Sequence, residues 1–193
     1  MPPPRFPMEL PPRLEKPRVA LLVIDLQERF RDLIDGMAGV VAQCSRLARF
    51  CDRLSIPVVV TEQYPAALGR TLAEVAAVLP KGTAPIEKTT FSCGGDEGFR
   101  RAVAGLKREQ WVLCGIETHV CVVQTALDLL RDDRQVALAA DATSSRRPRD
   151  RDLALARMRD LGVQVMSTEM ILFEILRQAG TPDFRAVAPI LKE

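Results

Sequence analysis

The chain of 193 residues is poor in the residue types that build metal sites, with one histidine and five cysteines. The cysteines are odd in number and no two of them have CxxC spacing, and a single histidine cannot complete a zinc framework. These counts predict no metal and no cofactor. They favour reduced thiols, and hence a cytoplasmic protein.

The chain also has no large excess of positive or negative charge and no long apolar run. Lys and Arg number 27 against 25 Asp and Glu, so electrostatics gives no reason to expect a nucleic acid or a membrane as partner. The longest strand-like apolar run, Val19–Ile24, is too short to cross a bilayer, and the N-terminal segment lacks the apolar core of a secretory signal. With 47% hydrophobic residues, this length favours one globular domain.

Proline is concentrated at the beginning of the chain. Residues 1–17 hold seven of the 14 prolines. Because proline fixes φ and removes a backbone donor, we expect these residues to form an extended arm rather than a packed element. The globular domain then comprises residues 18–193.

Beyond the arm, short apolar runs alternate with amphipathic stretches that have helical spacing. The predicted strands are residues 19–24, 57–61, 84–88, 111–116, 135–140 and 163–167, and the predicted helices are 40–54, 96–107, 120–130, 149–161 and 169–178. Most of the strands are continuously apolar, which is typical of strands buried on both faces. The repeated strand–helix–strand order therefore predicts a single α/β domain with a parallel sheet wrapped by helices.

Polar residues follow the predicted strands at the point where each strand ends. They are Asp25, Glu62, Lys88, the segment Gly115 to Glu117, Asp141 and Ser167. In open parallel sheets, ligands bind beyond the carboxyl ends of the strands, where the strand order reverses. A shared polar crevice at that edge explains charged side chains directly after buried segments, whereas solubility does not require them.

Cys121 lies where the fourth strand turns into the next helix, and Thr118 is a candidate N-cap of that helix. Free N–H groups and the helix dipole in a first turn lower the pKa of a cysteine, and the same N–H groups can hold an oxyanion. The alternative is a buried structural cysteine, which we expect for Cys44, Cys51 and Cys114. This position alone leaves both interpretations of Cys121 open.

Asp25 and Lys88 are the charged groups that would complete a nucleophilic site around Cys121. The carboxylate can accept the thiol proton, and a lysine beside both groups favours their ionised forms. Taken singly, Asp25 could be a helix cap or ion-pair residue, and Lys88 a solvated surface lysine. Three complementary groups at three strand ends favour the catalytic interpretation.

Two further features receive structural interpretations. His119 is two residues from Cys121, and residues two apart on a helix do not face each other, so we expect a structural or pocket-rim role. The basic run at 146–151 predicts a solvated helix start, because isolated basic clusters seldom bind nucleic acid in a chain of near-zero net charge.

With these residues in view, the sequence resembles the isochorismatase-like cysteine hydrolase superfamily. The matching motifs are Ile-Asp-Leu-Gln at 24–27, Glu-Lys-Thr-Thr-Phe-Ser at 87–92 and Gly-Ile-Glu-Thr-His-Val-Cys-Val at 115–122. Segments 61–65 and 125–130 look most like isochorismatase-domain-containing proteins of unassigned substrate. The resemblance implies a three-layer Rossmann-like fold with a six-stranded parallel sheet and helices on both faces.

The resemblance also implies a site and a reaction. It assigns a catalytic triad to Asp25, Lys88 and Cys121, a cis peptide to Ile116 and Glu117, and an oxyanion hole to the backbone N–H groups of Glu117 and Cys121. In the implied reaction, Asp25 takes the thiol proton and the thiolate attacks a small amide or related C–N bond. Water then hydrolyses the thioester.

Phe30 and Tyr64 are candidate walls of the substrate pocket. Phe30 matches a family pocket position by its spacing from Asp25, and Tyr64 lies near a strand end; ordinary packing is the alternative for both.

Nicotinamidases carry several histidines in a metal site after the second strand, where this chain has Glu-Gln-Tyr at 62–64. Isochorismatases proper lack the cysteine nucleophile. Metal-assisted nicotinamide hydrolysis and isochorismate hydrolysis are therefore both disfavoured.

The leading hypothesis is a hydrolase with a small-molecule substrate. Two other classes stay open: a non-catalytic binding or scaffold protein that keeps the fold, and a thiol redox protein that pairs Cys121 with Cys93 or Cys114. The last predicted helix has apolar residues at 170–173 and 175–176, which leaves it apolar nearly all round. This pattern predicts a homo-oligomer.

Overall fold

The structure, a computed structural model, describes residues 12–193. The strands in this range are β1 (Val19–Ile24), β2 (Val58–Gln63), β3 (Ile86–Lys88), β4 (Gln110–Ile116), β5 (Gln135–Ser144) and β6 (Gln164–Met166). The helices are α1 (Met37–Arg53), α2 (Pro65–Leu68), α3 (Ala73–Ala76), α4 (Glu97–Ala104), α5 (Val123–Arg131), α6 (Pro148–Asp160), α7 (Thr168–Leu176) and α8 (Pro182–Leu191). All strand pairs are parallel, in the order β3-β2-β1-β4-β5-β6. The predicted six-stranded parallel sheet is confirmed.

Two hydrophobic cores lie on opposite faces of this sheet. Alternate residues of β1 point to opposite faces, as the pleat requires. Val19, Leu21 and Val23 join one core, which includes residues of α1, α7 and α8. The intervening β1 residues join the other core, which includes residues of α4, α5 and α6. Burial on both faces explains why β1 is apolar at every position, and the predicted three-layer α/β fold is confirmed.

The strand order reverses between β1 and β4, the two central strands. Near the end of β4 the register with β5 shifts, and Gly115 adopts φ +110°. A Cβ at this position would overlap the backbone of Ile24, so only glycine allows the two strands to lie this close. The segments that follow β1 and β4 consequently begin side by side, at the edge where doubly wound sheets bind ligands.

Three local features differ from the predictions. Helix α8 was not predicted, because Pro189 inside it interrupts the pattern; its start carries Thr181, whose side chain accepts a hydrogen bond from the Phe184 N–H, and then Pro182. Strand β5 continues to Ser144, four residues past its predicted end. The short helices α2 and α3 lie in a stretch without a clear helical stripe.

Residues 1–11 of the predicted arm lie outside the described residues. For residues 12–17, the expectation of an unpacked arm is wrong. Leu14 is buried in the core, its N–H donates to Glu174 Oε1 at 2.9 Å, and its carbonyl accepts from Arg177 at 2.9 Å. The buried Leu14 side chain and its backbone hydrogen bonds therefore anchor this segment against α7, although the segment contains prolines.

The apolar character of α7 is explained largely by the core. Ile171, Leu172, Ile175 and Leu176 are buried within the chain. Met170 and Phe173 are left 55% and 47% exposed.

None of the helices in residues 12–193 combines the length and apolar character that crossing a bilayer requires.

Candidate active site

A cavity of about 340 Å³ opens beyond the carboxyl ends of β1 and β4. Its lining residues are Asp25, Phe30, Gln63, Leu68, Phe91, Ile116, Glu117, Val120, Cys121 and Arg146. Apolar walls with a few polar groups are typical of small-molecule sites, and the volume suits a small ligand.

A buried ion pair lies against this cavity. Lys88 Nζ donates to Asp25 Oδ2 at 2.7 Å, and both side chains are almost completely inaccessible to solvent. The ammonium also donates to Gln63 Oε1 at 2.7 Å and to the carbonyls of Thr90 and Phe91 at 3.2 Å. Burial is the largest effect and lowers the pKa of Lys88, but the Asp25 carboxylate together with the neighbouring Cys93 and Cys121 outweighs burial, so that the pKa of Lys88 is raised. Lys88 is therefore a fixed cation.

Asp25 is held in a single orientation by β2. Thr61 Oγ1 donates to Asp25 Oδ1 at 2.7 Å, and the Asp25 N–H donates to the Thr61 carbonyl at 3.2 Å. The backbone of Asp25 has φ +53°, the left-handed region that residues other than glycine rarely adopt. Because the two carboxylate oxygens bind Thr61 and Lys88, the carboxylate cannot turn away from the cavity.

Cys121 lies in a single π-helical turn, Thr118–Val122, between β4 and α5. The expectation that Thr118 caps this turn is wrong. Its hydroxyl instead shares a hydrogen bond with Thr143 Oγ1 at 2.9 Å, and Thr143 donates to the Gly115 carbonyl at 2.8 Å. The Cys121 side chain lines the cavity at 6% exposure, the same cavity that Asp25 lines.

The pKa of Cys121 differs in direction from the sequence expectation. Burial raises the pKa of this thiol first, the Asp25 charge raises it further, and Lys88 lowers it. The predicted lowering by a helix start is wrong, because burial and the neighbouring carboxylate outweigh the favourable charges. At neutral pH the thiol is protonated beside a carboxylate that can accept its proton.

All five cysteines are free and buried. Cys44, Cys51 and Cys114 belong to the core on the opposite face of the sheet from Cys121, as residues with a packing role do. Cys93 shares the core of Cys121, and its thiol lies 3.8 Å from Thr61 Oγ1. Burial raises the pKa of Cys93 to about 11.

The Ile116–Glu117 peptide is cis. The Glu117 side chain is buried, and its Oε2 accepts hydrogen bonds from the backbone N–H of Arg146 at 2.9 Å and from Arg146 Nε at 3.0 Å. Arg146 was interpreted from the sequence as part of a solvated helix start. It is 58% exposed, but it also lines the cavity. Nothing in the sequence pattern separates it from the arginines that follow.

The two predicted pocket walls have different positions. Phe30 lines the cavity, whereas Tyr64 does not. Tyr64 is 55% exposed and borders a separate hollow with Pro65, because its left-handed backbone, φ +36°, turns the chain at the end of β2. The preceding residue, Gln63, occupies the wall instead.

His119 lies outside the cavity. Its Nδ1 is 2.9 Å from Ser145 Oγ, and the ring borders a neighbouring hollow with Asp150 and Arg157. The structural interpretation fits this position. In the part of the chain that the structure describes, no three histidine, cysteine or acidic side chains are grouped as metal ligands.

The remaining polar strand ends do not join the cavity. Glu62 is buried and does not line the cavity, Asp141 lies within β5 and accepts hydrogen bonds from the N–H and hydroxyl of Thr168, and Ser167 caps α7. The expected shared crevice therefore includes the ends of β1 and β4, Gln63 at the end of β2 and Arg146 just after β5, with Lys88 behind them, but not Glu62, Asp141 or Ser167.

We expect Glu62→Gln to destabilise the fold in a pH-dependent way. Glu62 is buried, which raises its pKa, but hydrogen bonds from the Thr71 N–H and hydroxyl, and from Arg70, outweigh burial and lower it. A carboxylate whose pKa is lower in the folded than in the unfolded state stabilises the fold at pH values above its unfolded-state pKa. This stabilisation is lost as the pH falls through the folded-state pKa. The free energy of unfolding of the variant should be about 1–3 kcal/mol lower than that of the wild type at pH 7.

Urea unfolding at pH 7 and near pH 3 measures this difference, which should narrow in acid. Glu87→Gln is the matched control, because Glu87 also binds Arg70, at 2.6 Å, but from an exposed position. We expect this control to lose less than about 1 kcal/mol. Equal losses in the two variants would contradict the role of burial at Glu62.

Known proteins resemble this chain over nearly all of the described residues. The family model described as isochorismatase domain matches residues 19–170. Mouse isochorismatase domain-containing protein 2A is 39% identical over 174 residues, 90% of this chain and 82% of that protein. The structure of the MAR1 ribonuclease from Caenorhabditis elegans has a TM-score of 0.89 at 33% identity, covering 94% of this chain and 93% of that one. The Escherichia coli YcaC protein, an octameric hydrolase of unknown specificity, has a TM-score of 0.85 at 23% identity, covering 92% and 88%.

Proposed function

This chain belongs to the isochorismatase family, and on that premise we propose that it is a cysteine-dependent hydrolase of a small amide or related C–N bond. The family fold supports a hydrolase role. The observation that carries the finer proposal is the 2.7 Å Lys88–Asp25 ion pair, placed at a cavity that Cys121 also lines. A carboxylate, an ammonium and a thiol together supply a base, a fixed charge and a nucleophile.

In the proposed first step, Asp25 takes the Cys121 proton as the sulfur bonds to the substrate carbonyl carbon. The raised pKa of Cys121 requires this transfer, because the resting group is a thiol. Once Asp25 is neutral, the negative charge lies on the substrate oxygen, and the Lys88 ammonium stabilises it. The backbone N–H groups of Glu117 and Cys121 would hold the carbonyl oxygen as it becomes an oxyanion.

In the second step, the C–N bond breaks and protonated Asp25 gives its proton to the leaving nitrogen. The remaining acyl group is a thioester on Cys121. A water molecule, deprotonated by Asp25, then attacks the thioester carbon, the C–S bond breaks, and Cys121 recovers its proton. Lys88 changes no bonds in this scheme and is a positioning residue.

A screen of small amides, ureas and carbamoyl compounds for released ammonia tests the proposal. We expect at least one compound to be hydrolysed by the wild-type protein, and about 10³-fold or more slowly by Cys121→Ala. Equal hydrolysis by both proteins would exclude Cys121 as the nucleophile. Failure of every compound would favour a non-catalytic binding protein.

A second candidate function is cleavage of RNA. It is favoured by the similarity to the C. elegans protein named MAR1 ribonuclease, and by Arg146, which lines the cavity and, with Arg147, a second hollow. Labelled single-stranded RNA incubated with the wild-type protein and with Cys121→Ala tests it. Cleavage that disappears in the variant would support this function, and cleavage by neither would exclude it.

We also propose that the protein is a homo-oligomer. The exposed Met170 and Phe173 on α7 support this, as does the octamer described for the E. coli relative. Light scattering should give a mass that is a multiple of 21.4 kDa, and Phe173→Glu should lower it. Leu161→Glu, at an exposed apolar residue on α6's end, is the control that should leave the mass unchanged. A wild-type mass of one chain would overturn the proposal.

A further inference from the structure

Two buried hydroxyl groups form a hydrogen-bonded chain beside the cavity. Thr143 Oγ1, on β5, donates to the Gly115 carbonyl at 2.8 Å. It also lies 2.9 Å from Thr118 Oγ1, and because a hydroxyl has one proton to donate, Thr118 is the donor in that contact. Both threonines are buried, so solvent does not compete for these bonds. The chain therefore has one direction, from Thr118 through Thr143 to Gly115.

This chain closes a short loop that contains Glu117. Gly115 is the last residue but one of β4, and Thr118 begins the π-helical turn that holds Cys121. Only two residues lie between them, and both line the cavity. The two ends of the loop are bound to one atom, Thr143 Oγ1. A residue of β5 therefore fixes this loop next to the turn that carries the thiol.

The Glu117 N–H is the free polar group of the loop. Among residues 12–193 it donates to no carbonyl and to no side chain. The Glu117 carbonyl, by contrast, accepts from the N–H groups of Val120 at 3.0 Å and Val122 at 3.2 Å. Glu117 is buried and lines the cavity. Because buried N–H groups without a protein partner are rare, this one points to a ligand oxygen as its acceptor.

We propose that Thr143 is a positioning residue: through Thr118 and Gly115, its hydroxyl holds the Glu117 N–H where it binds the substrate oxygen as an oxyanion. The inference rests on the proposed function, in which Cys121 attacks the substrate carbonyl. Thr143 does not line the cavity, so it acts through the loop and not on the substrate. An oxyanion donor must lie about 2.7–3.1 Å from the oxygen, so a small shift of the loop weakens it.

Two reagents that react with Cys121 separate this role from a general effect on the fold. With iodoacetamide, the sulfur bonds to the methylene carbon as iodide leaves, and no oxyanion forms. With p-nitrophenyl acetate, the sulfur bonds to the carbonyl carbon and the oxygen becomes an oxyanion; the C–O bond then breaks, p-nitrophenolate leaves and a thioester remains. In both reactions Asp25 takes the thiol proton. The ratio of the acylation rate to the alkylation rate, from nitrophenolate absorbance and peptide mass, therefore reports on the oxyanion site.

Thr143→Val removes the hydroxyl and keeps the shape of the side chain. We expect the ratio to fall about tenfold, less than the roughly 10²–10³-fold loss when an oxyanion donor is removed outright. Thr143→Ser keeps the hydroxyl and should restore the ratio to near its wild-type value. Thr168→Val is the matched control, because Thr168 is also buried and its hydroxyl donates to Asp141 Oδ1 at 2.9 Å, away from the cavity lining. It should leave the ratio unchanged.

An unchanged ratio in Thr143→Val would overturn the inference, and so would a fall that Thr143→Ser does not reverse or that Thr168→Val equals. If Thr143→Val does not fold, Thr118→Val removes the donor at the other end of the chain, and an unchanged ratio there would overturn the inference. Wild-type protein that is alkylated but not acylated would also overturn it, while Cys121 stays the nucleophile. Labelling by neither reagent would contradict the nucleophile, and the inference would fail together with the proposed function.

Discussion

Cys121→Ala is expected to lower kcat on an amide substrate by about 10³-fold or more, because no thioester can form without the sulfur. The oxyanion-binding groups and the cavity walls remain, so some residual turnover above the uncatalysed rate is expected. The thiol lies at the surface of the cavity, and its removal should cost the fold less than about 2 kcal/mol. Ammonia release and urea unfolding measure the two effects.

Cys93→Ala is the matched control for this variant. Cys93 is also a buried thiol close to Asp25, through Thr61, but it does not line the cavity. We expect its turnover to stay within about tenfold of wild type, while its stability falls as for any buried side chain that is truncated. Retained activity in Cys121→Ala, or an equal loss in Cys93→Ala, would contradict the assignment of the nucleophile.

Lys88→Met is expected to reduce the free energy of unfolding by about 3–5 kcal/mol and to abolish turnover. Removing one partner of a buried ion pair leaves the other charge without compensation, which costs far more than the pair contributes. Here both side chains are buried, and the Asp25 carboxylate would keep the hydrogen bond from Thr61 but lose its cationic partner. Urea unfolding at pH 7 gives the difference.

The double variant Asp25→Asn with Lys88→Met separates stability from activity. Because neither buried charge is left, we expect it to recover a large part of the lost stability and none of the turnover. Lys16→Met is the control, since Lys16 binds Asp183 at 2.7 Å with both side chains about 40% exposed. It should lose less than about 1 kcal/mol. A loss in Lys88→Met no larger than in this control would contradict the burial of the pair.

The fold followed closely from the apolar pattern. Strand β1 was predicted at its observed bounds, because a strand buried on both faces is apolar at every position. In a parallel sheet the carboxyl ends of the strands lie at one edge, which predicts that Asp25 and Cys121 share that edge. The strand order, which puts β1 beside β4, was not predicted. The family motifs named the same residues, together with Lys88.

Spacing along the chain could not reveal what depends on burial and on side-chain direction. The pKa of Cys121 is raised because the thiol is buried beside a carboxylate, and neither fact is visible in a helix-start pattern. Gln63 rather than Tyr64 lines the cavity because a left-handed residue turns the chain there. Arg146 was grouped with its basic neighbours, since its contact with Glu117 crosses from β4 to the segment after β5.

The most direct test of the proposed site is the pH dependence of Cys121 alkylation by iodoacetamide in the wild-type protein and in Asp25→Asn. The asparagine can still contact Thr61, and Lys88 keeps Gln63 and two carbonyls as partners. The Asp25 charge raises the pKa of Cys121 and the Lys88 charge lowers it. We therefore expect the midpoint of alkylation to move to lower pH in the variant, by about one pH unit or more, while turnover is lost. A midpoint that stays in place or rises would contradict the control of the Cys121 proton by Asp25.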